Sequence, residues 1–225
     1  MTPPPDTKPA TDDSVREPCR LYLISPPAGG REDADRRLAE ALSGGAIDCL
    51  MLRAASDADP SRLRKLCESI QSAGTAVVME SASLASACGA DGVHFDRVLP
   101  VRAPSNSLAI AGAGNLRSRH DAMTAGEDGA DYVLFGEPGS DGGRPPFGAI
   151  LERISWWSEV FTVPCVAYAA NLEEARQAAA AGADFVAVGD WVWAHDRGPQ
   201  AAVKEILAVL GDTAGTPAAG FEAHV

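Results

Sequence analysis

The sequence predicts a single α/β domain, a compact (β/α)8 barrel of the TIM type with parallel strands. Three observations predict it. The stretches CGADGVHF at 88–95, DGADYVLFG at 128–136 and AGADFVAVG at 181–189 say nearly the same thing. In each, a helical pattern leads into Gly-Ala-Asp and an apolar, Val-rich run follows. The Gly ends a helix in a left-handed conformation at low cost, and the Val-rich run reads as a strand covered on both faces. Finally, the chain as a whole alternates strand and helix eight times, which closes a parallel barrel. The competing arrangement, an open doubly wound sheet, lacks its mark: SPPAGG at 25–30 is a poor substitute for a GxGxxG turn after the first strand.

The elements follow in order. Strand one is read over 19–25, with a helix over 32–43. Strand two is 47–53 and its helix 60–72. Strand three is 75–80, with a short helix over 83–88. Strand four is 92–95, followed by a loop with little helix. Strand five is 108–112, with a helix over 118–126. Strand six is 132–136, then a Gly/Pro loop and a helix over 149–160. Strand seven is 164–168 and its helix 172–181, opened by the capping box Asn171-Leu-Glu-Glu174. Strand eight is 185–189, with a last helix over 199–210. Residues 1–18, proline-dense and charged, read as a disordered tail. The barrel is placed at 19–211, and 212–225 read as a flexible C-terminal tail.

Composition bounds the function. The chain has 225 residues, is 46% hydrophobic and carries a formal net charge of −12. That charge argues against nucleic acid and against an anionic membrane surface as partner, and it makes an anionic substrate depend on a local cluster of donors. Cys19, Cys49, Cys67, Cys88 and Cys165 are scattered, odd in number and without a CxxC, the pattern of reduced core thiols in a cytoplasmic protein. No apolar run reaches the length of about 18 residues that spans a bilayer. The expected partner is a small molecule, with a homodimer contact as a candidate through whichever of Trp156 and Trp157 faces outward.

In a barrel the site lies at the C-terminal ends of the strands. Position therefore singles out Arg53, Glu80, His94, Asp96, Gly114, Asn115, Glu137, Arg144, Tyr168, Ala170, Asn171, Gly189, Asp190 and Trp191. Arg53 is a candidate anion ligand, with an ion pair to Glu80 as the plainer reading. Glu80 carries an oxygen donor of the kind a hard cation takes, with a salt-bridged or hydrated carboxylate as the plainer reading. Glu137 beside the mouth is a candidate general base, since burial raises a carboxyl toward neutrality. Tyr168 and Trp191 are candidates to stack on a planar ring.

Several segments together resemble the thiamine phosphate synthase / thiazole tautomerase family: LYLIS on strand one, LSGGAIDCLMLR on strand two, AVVMESASLASACGADGVHF over strands three and four, GADYVLFG on strand six, and VPCVAYAAN with GADFVAVGDWV at the end. The resemblance covers about 21–210. It implies a (β/α)8 barrel and a reaction that couples an aminomethylpyrimidine diphosphate to a thiazole phosphate with Mg2+, releasing pyrophosphate. In the tautomerase branch a proton is moved on the thiazole phosphate instead.

The family's motifs carry over only in part. Its Gln-x-Arg-x-Lys falls on Met51, Arg53 and Ala55, so Arg53 alone survives. Its Ile-Asn-Asp-Arg falls on Val78, Met79, Glu80 and Ser81, leaving Glu80 as the metal ligand. The metal-binding Asp after strand four has Asp96 near it, in a run one residue shorter. A Ser-Thr pair is replaced by Gly114-Asn115. The Thr-x-Thr-Lys loop becomes GSDGGRPPFG, with Arg144 its cation. The Gly-Gly that receives the thiazole phosphate becomes Ala169-Ala170, where the amides of Ala170 and Asn171 remain as anion donors. A small hydroxyl residue expected after Gly189 has Asp190 in its place. Glu137 stands where the tautomerases carry an acid/base His and the synthases usually Pro. The resemblance thus implies a diverged member with a degenerate active site and doubtful synthase activity. The alternatives are a non-catalytic heterocycle-binding or regulatory barrel, and a tautomerase-like isomerase using Glu137. With Arg53, Glu80, Asp96 and Glu137 converging at one mouth, a neutral or cationic ring is expected to bind in preference to a free diphosphate.

Overall fold

The structure, a computed structural model, describes residues 17–30, 32–96, 108–139 and 142–212. The expected tails fall outside the described residues apart from Glu17, Pro18 and Asp212, as does the loop after the fourth strand. In chain order the elements are β1 (Arg20–Ile24), α1 (Glu32–Leu42), β2 (Cys49–Met51), α2 (Pro60–Ser72), β3 (Ala76–Met79), α3 (Ala82–Cys88), β4 (Gly92–Phe95), β5 (Ile110–Ala113), α4 (Arg119–Glu127), β6 (Tyr132–Phe135), α5 (Phe147–Val160), β7 (Cys165–Tyr168), α6 (Leu172–Ala181), β8 (Phe185–Val188), α7 (Asp190–Trp193) and α8 (Pro199–Asp212). Neighbouring strands pair in parallel throughout, and β1 pairs with β8 in the register Arg20↔Phe185 to Leu23↔Val188, so the sheet closes. The barrel read from the sequence is the barrel observed. One element was not foreseen, the short α7 directly after β8.

The Gly-Ala-Asp repeats explain the closure locally. Gly89 and Gly182 sit at positive φ and end α3 and α6, their N–H groups donating back into the last turn. The Asp that follows has a second task. The side chain of Asp91 accepts the Val77 N–H at 2.8 Å, while its own N–H donates to the Val77 carbonyl at 2.9 Å. Asp131 does the same to Ala111, with both bonds at 2.8 Å, and Asp184 to Cys165 at 2.8 and 3.0 Å. Asp48, in a segment without Gly-Ala, repeats the device on Leu21, with both bonds at 3.1 Å. Each even-numbered strand thus begins with a carboxylate that grips the start of the odd-numbered strand before it. Four such clasps satisfy backbone donors at the bottom of the barrel and set the register there.

Two apolar layers hold the fold. Between strands and helices lies the larger one, with Leu21, Leu23, Leu50, Val133 and Val186 from the strands against Leu38, Leu63, Ile70, Ile154 and Ile206 from the helices, all essentially fully buried. Trp157 is buried in this layer and donates from Nε1 to the Val163 carbonyl at 2.7 Å, while Trp156 remains partly exposed with Arg119 over its ring. Inside the barrel a second cluster joins Tyr22, Cys49, Met51, Val78, Tyr132, Leu134, Val166, Tyr168 and Ala187. These are the alternate, inward positions of the strands, so the barrel is filled rather than open. All five cysteines are free thiols, four of them buried. Among the described residues no helix is long and apolar enough to cross a membrane.

Candidate active site at the barrel mouth

A cavity of about 500 Å³ opens at the C-terminal ends of the strands. Each residue lining it stands at a strand end, in the loop after one or, for Asp190, at the start of α7. β1 and β2 contribute Ile24, Met51 and Arg53, β3 Glu80, and β4 His94 and Asp96. Asn115 follows β5, and Glu137, Pro138, Gly139 and Gly142 follow β6. Tyr168, Gly189 and Asp190 complete the wall. Arg53, Glu80, Asp96 and Glu137 therefore do converge.

Arg53 is held by its backbone, whose N–H donates to Ser25 Oγ at 2.9 Å. Its Nε stands 3.5 Å from Glu80 Oε1, with both side chains about half exposed. The ion-pair reading of Arg53 and Glu80 is thus realised within the cavity wall, and the guanidinium shares its charge with a carboxylate before any ligand arrives.

Glu137 sits deeper. Its Oε1 accepts the backbone N–H of Asn115, a residue held at φ 50°. Gly114 makes the approach possible: a Cβ there would stand closer than 3.0 Å to both Glu137 Oε1 and His94 Nε2. Carboxylate and imidazole are therefore close neighbours, packed where a larger residue directly after β5 would have to stand. Burial pushes the Glu137 carboxyl up to about 7, helped by the charge of Asp96 and opposed by the backbone N–H of Asn115. Burial moves His94 the other way, down to about 4, against the pull of Asp96. At neutral pH His94 is an uncharged imidazole.

His94 is 4% exposed and its Nδ1 lies 2.8 Å from Tyr132 Oη, which in turn lies 3.0 Å from Tyr22 Oη. The Tyr132 ring has room because β5 carries glycine at its inward position: a Cβ on Gly112 would overlap that ring. The alternation Ala-Gly-Ala-Gly at 111–114 was the available sequence signal for this arrangement, and it went unread.

The remaining candidates are placed differently. Arg144 does not line the cavity; its Nη2 donates to Glu174 Oε2 at 2.7 Å, with each side chain 19% exposed. The same Glu174 oxygen accepts the Ala170 N–H at 2.9 Å, and Asn171 Oδ1 accepts the Glu174 N–H at 2.9 Å as the cap of α6. The amides of Ala170 and Asn171, expected to remain free for an anion, stand beside a carboxylate of the chain itself, and Ala170 already donates to it. Tyr168 lines the cavity with the Arg144 guanidinium 5.6 Å from its ring centre. Trp191 does not line the cavity. It lies on α7 with its ring edge-on to His195 at 5.2 Å, packed against the outer core. Gly189 and Asp190, by contrast, are in the wall.

The family model of thiamine monophosphate synthase matches residues 21–192, most of the barrel. The chain belongs to this family. Among curated relatives, the thiamine-phosphate synthase of Rhodospirillum centenum is 40% identical over 202 residues, covering 85% of this chain and 98% of that one. The thiamine-phosphate synthase of Hyphomonas neptunium is 39% identical, covering 85% and 93%. Among solved structures, the thiamine phosphate pyrophosphorylase of Pyrococcus furiosus superimposes with a TM-score of 0.70 at 23% identity, covering 86% of this chain and 96% of that one. That last likeness speaks for the fold alone. In this thiamine phosphate synthase-family barrel, the mouth carries polar groups at the places where the fold puts a site.

Proposed function

We propose that this family member binds a neutral or cationic ring of the thiazole or pyrimidine type at its barrel mouth, and that it couples aminomethylpyrimidine diphosphate to thiazole phosphate only slowly. One observation carries the reading. Among the described residues, four carboxylates (Glu80, Asp96, Glu137, Asp190) line the cavity against a single cation, Arg53, which is already ion-paired. Arg144, the other basic side chain nearby, is spent on Glu174. An added negative charge about 6 Å from one ionised carboxylate meets roughly 3 kcal/mol of repulsion at an effective dielectric of about 20. A diphosphate in this mouth faces several such terms, and a neutral ring faces none. Relatives called thiamine-phosphate synthase support the thiamine-type rings as the ligand class.

Glu80 and Asp96 are the oxygen donors that Mg2+ would use here. Among the described residues no three acidic, His or Cys groups are assembled to hold an ion, and the ring binding expected below is metal-independent. A second reading rests on Glu137. A carboxyl poised at about 7 both gives and takes a proton at neutral pH, which suits an isomerase that moves a proton on thiazole phosphate.

Calorimetric titration with thiazole phosphate, its unphosphorylated alcohol and the pyrimidine alcohol, with and without Mg2+, tests the first reading alongside an assay for thiamine phosphate. Binding of the unphosphorylated rings at least as tight as that of thiazole phosphate is expected. Metal-independent preference for the phosphorylated ring, or turnover within tenfold of an ordinary synthase, refutes it. Exchange of a thiazole ring proton with deuterated water, lost in Glu137→Gln, is the mark of the second reading.

A further inference from the structure

Among the described residues, the exposed large apolar side chains are Met123 at 37% and Val160 at 60%. They stand on α4 and α5, which run in the same direction, each from a strand end back to the start of the next strand. The Arg119 guanidinium lies 4.8 Å from the ring centre of Trp156, which sets the two helices level with each other. One turn further along each helix, Met123 and Val160 follow on the same faces. Gly126 lets the helices come close, since a Cβ there would stand 3.4 Å from the Trp157 ring. Phe161 holds the partly exposed Trp156 edge-on at 5.2 Å. Met123, Trp156 and Val160 thus form one apolar strip on a packed support.

Charge gives the strip a direction. Arg119, Met123 and Glu127 are spaced i, i+4, i+8 and all three are exposed, so they share one face of α4. The order is cation, apolar side chain, anion, symmetric in position about Met123 and opposite in charge. A second copy laid antiparallel, with a two-fold axis at Met123, sets Arg119 of each copy against Glu127 of the other and packs the two Met123 side chains together. Self-complementarity of this kind is what a closed two-fold contact requires. It also answers the formal net charge of −12, which repels copies that meet on an unmatched face. The chain's own ends are poor occupants of the strip: Met1 and Val15 are the large apolar residues of 1–16, and Phe221 and Val225 those of 213–225.

Size sets the strength. α4 and α5 have 9 and 14 residues. Side by side they present a face of roughly 400 Å², about half of the ~800 Å² that each partner gives a standard interface. We propose that the α4–α5 face docks a second copy of this chain, antiparallel about a two-fold axis at Met123, in a weak and reversible dimer. The two barrel mouths then open in opposite directions, and neither is covered. The proposal does not rest on the ring-binding reading above.

Sedimentation velocity of the full chain from about 1 µM to about 500 µM tests it, with a sedimentation coefficient that climbs from monomer toward dimer as the expected result. Arg119→Glu and Glu127→Arg each bring like charges together and should weaken association by about tenfold or more. Both changes in one chain should restore it, because the pairs are then reversed but complementary. Val160→Lys, at an exposed position, should weaken it by at least as much. Hydrogen exchange of the unaltered protein should slow in α4 and α5 on going from dilute to concentrated solution, a measurement that stands even if a variant fails to fold. A monomer throughout the range overturns the proposal. So does a dimer that survives both single reversals, or a double variant no better than either single one.

Discussion

Glu137→Gln isolates the energetic cost of placing a carboxyl at the barrel mouth. The substitution keeps the shape and an oxygen to accept the Asn115 N–H, and removes only the titration. In the unfolded chain the carboxyl titrates near 4.5, and in the fold at about 7, because burial disfavours its charged form. The sign follows. The fold suffers no penalty while the carboxyl is neutral in both states, below the unfolded value. It loses stability as pH rises from there, and the loss is complete above the folded value. Linkage sets its ceiling at roughly 3 kcal/mol, and the water-facing side of the mouth reduces this to about 1–3 kcal/mol. His94 acts in the opposite sense: its neutral form is favoured in the fold, so its contribution is full above 6.5 and is lost as pH falls toward about 4. That contribution is shared by both proteins and largely cancels in their difference. Urea unfolding of both between about pH 5 and pH 9 measures the difference. Glu137→Gln should match or fall slightly below the parent at the acid end and exceed it by about 1–3 kcal/mol at the alkaline end. A difference that does not change with pH, or that favours the parent at high pH, refutes the argument that burial governs this carboxyl.

Three further outcomes are expected. Asp184→Ala removes the clasp on Cys165 and should lower unfolding free energy by about 1–3 kcal/mol; an unchanged urea midpoint would show the clasp to be incidental. Gly112→Ala drives a methyl into the Tyr132 ring and should cost about 1–3 kcal/mol by overpacking, with a shift of the Tyr132 ring resonances in NMR; full stability with unmoved resonances contradicts it. Glu174→Ala deprives Arg144 and the Ala170 N–H of their shared acceptor and should cost about 1–2 kcal/mol, read as a lowered melting temperature that Glu174→Gln partly restores.

How far the sequence reaches differs between fold and site. The three Gly-Ala-Asp repeats were legible because each encodes its structure within a few residues: a left-handed helix end, then a strand start. Asp48 performs the same clasp without the Gly-Ala signature, so its role became visible only when β1 and β2 were seen side by side. The convergence of Arg53, Glu80, Asp96 and Glu137 was legible too, since a barrel fixes the strand ends at one mouth. Trp191 was misplaced as a wall of the cavity because α7 was not foreseen, and its one turn directs the ring to His195. Arg144 was read as the cation of its loop; the acceptor that holds it, Glu174, had been read only as part of a helix cap.

By itself, the sequence determined the number and order of the βα units and the end of the barrel at which the cavity opens. Periodicity, turn residues and residue type carry this information locally, and the repeated short strands leave the chain little choice of topology. The tertiary structure alone decided which charges are already committed to each other, which ring faces the cavity, and that Gly112 and Gly114 clear space for Tyr132, His94 and Glu137. Those outcomes depend on the distance between segments far apart in the chain. A glycine, a tyrosine and a glutamate are ordinary residues one by one, and become a site only when barrel closure sets them a few ångströms apart.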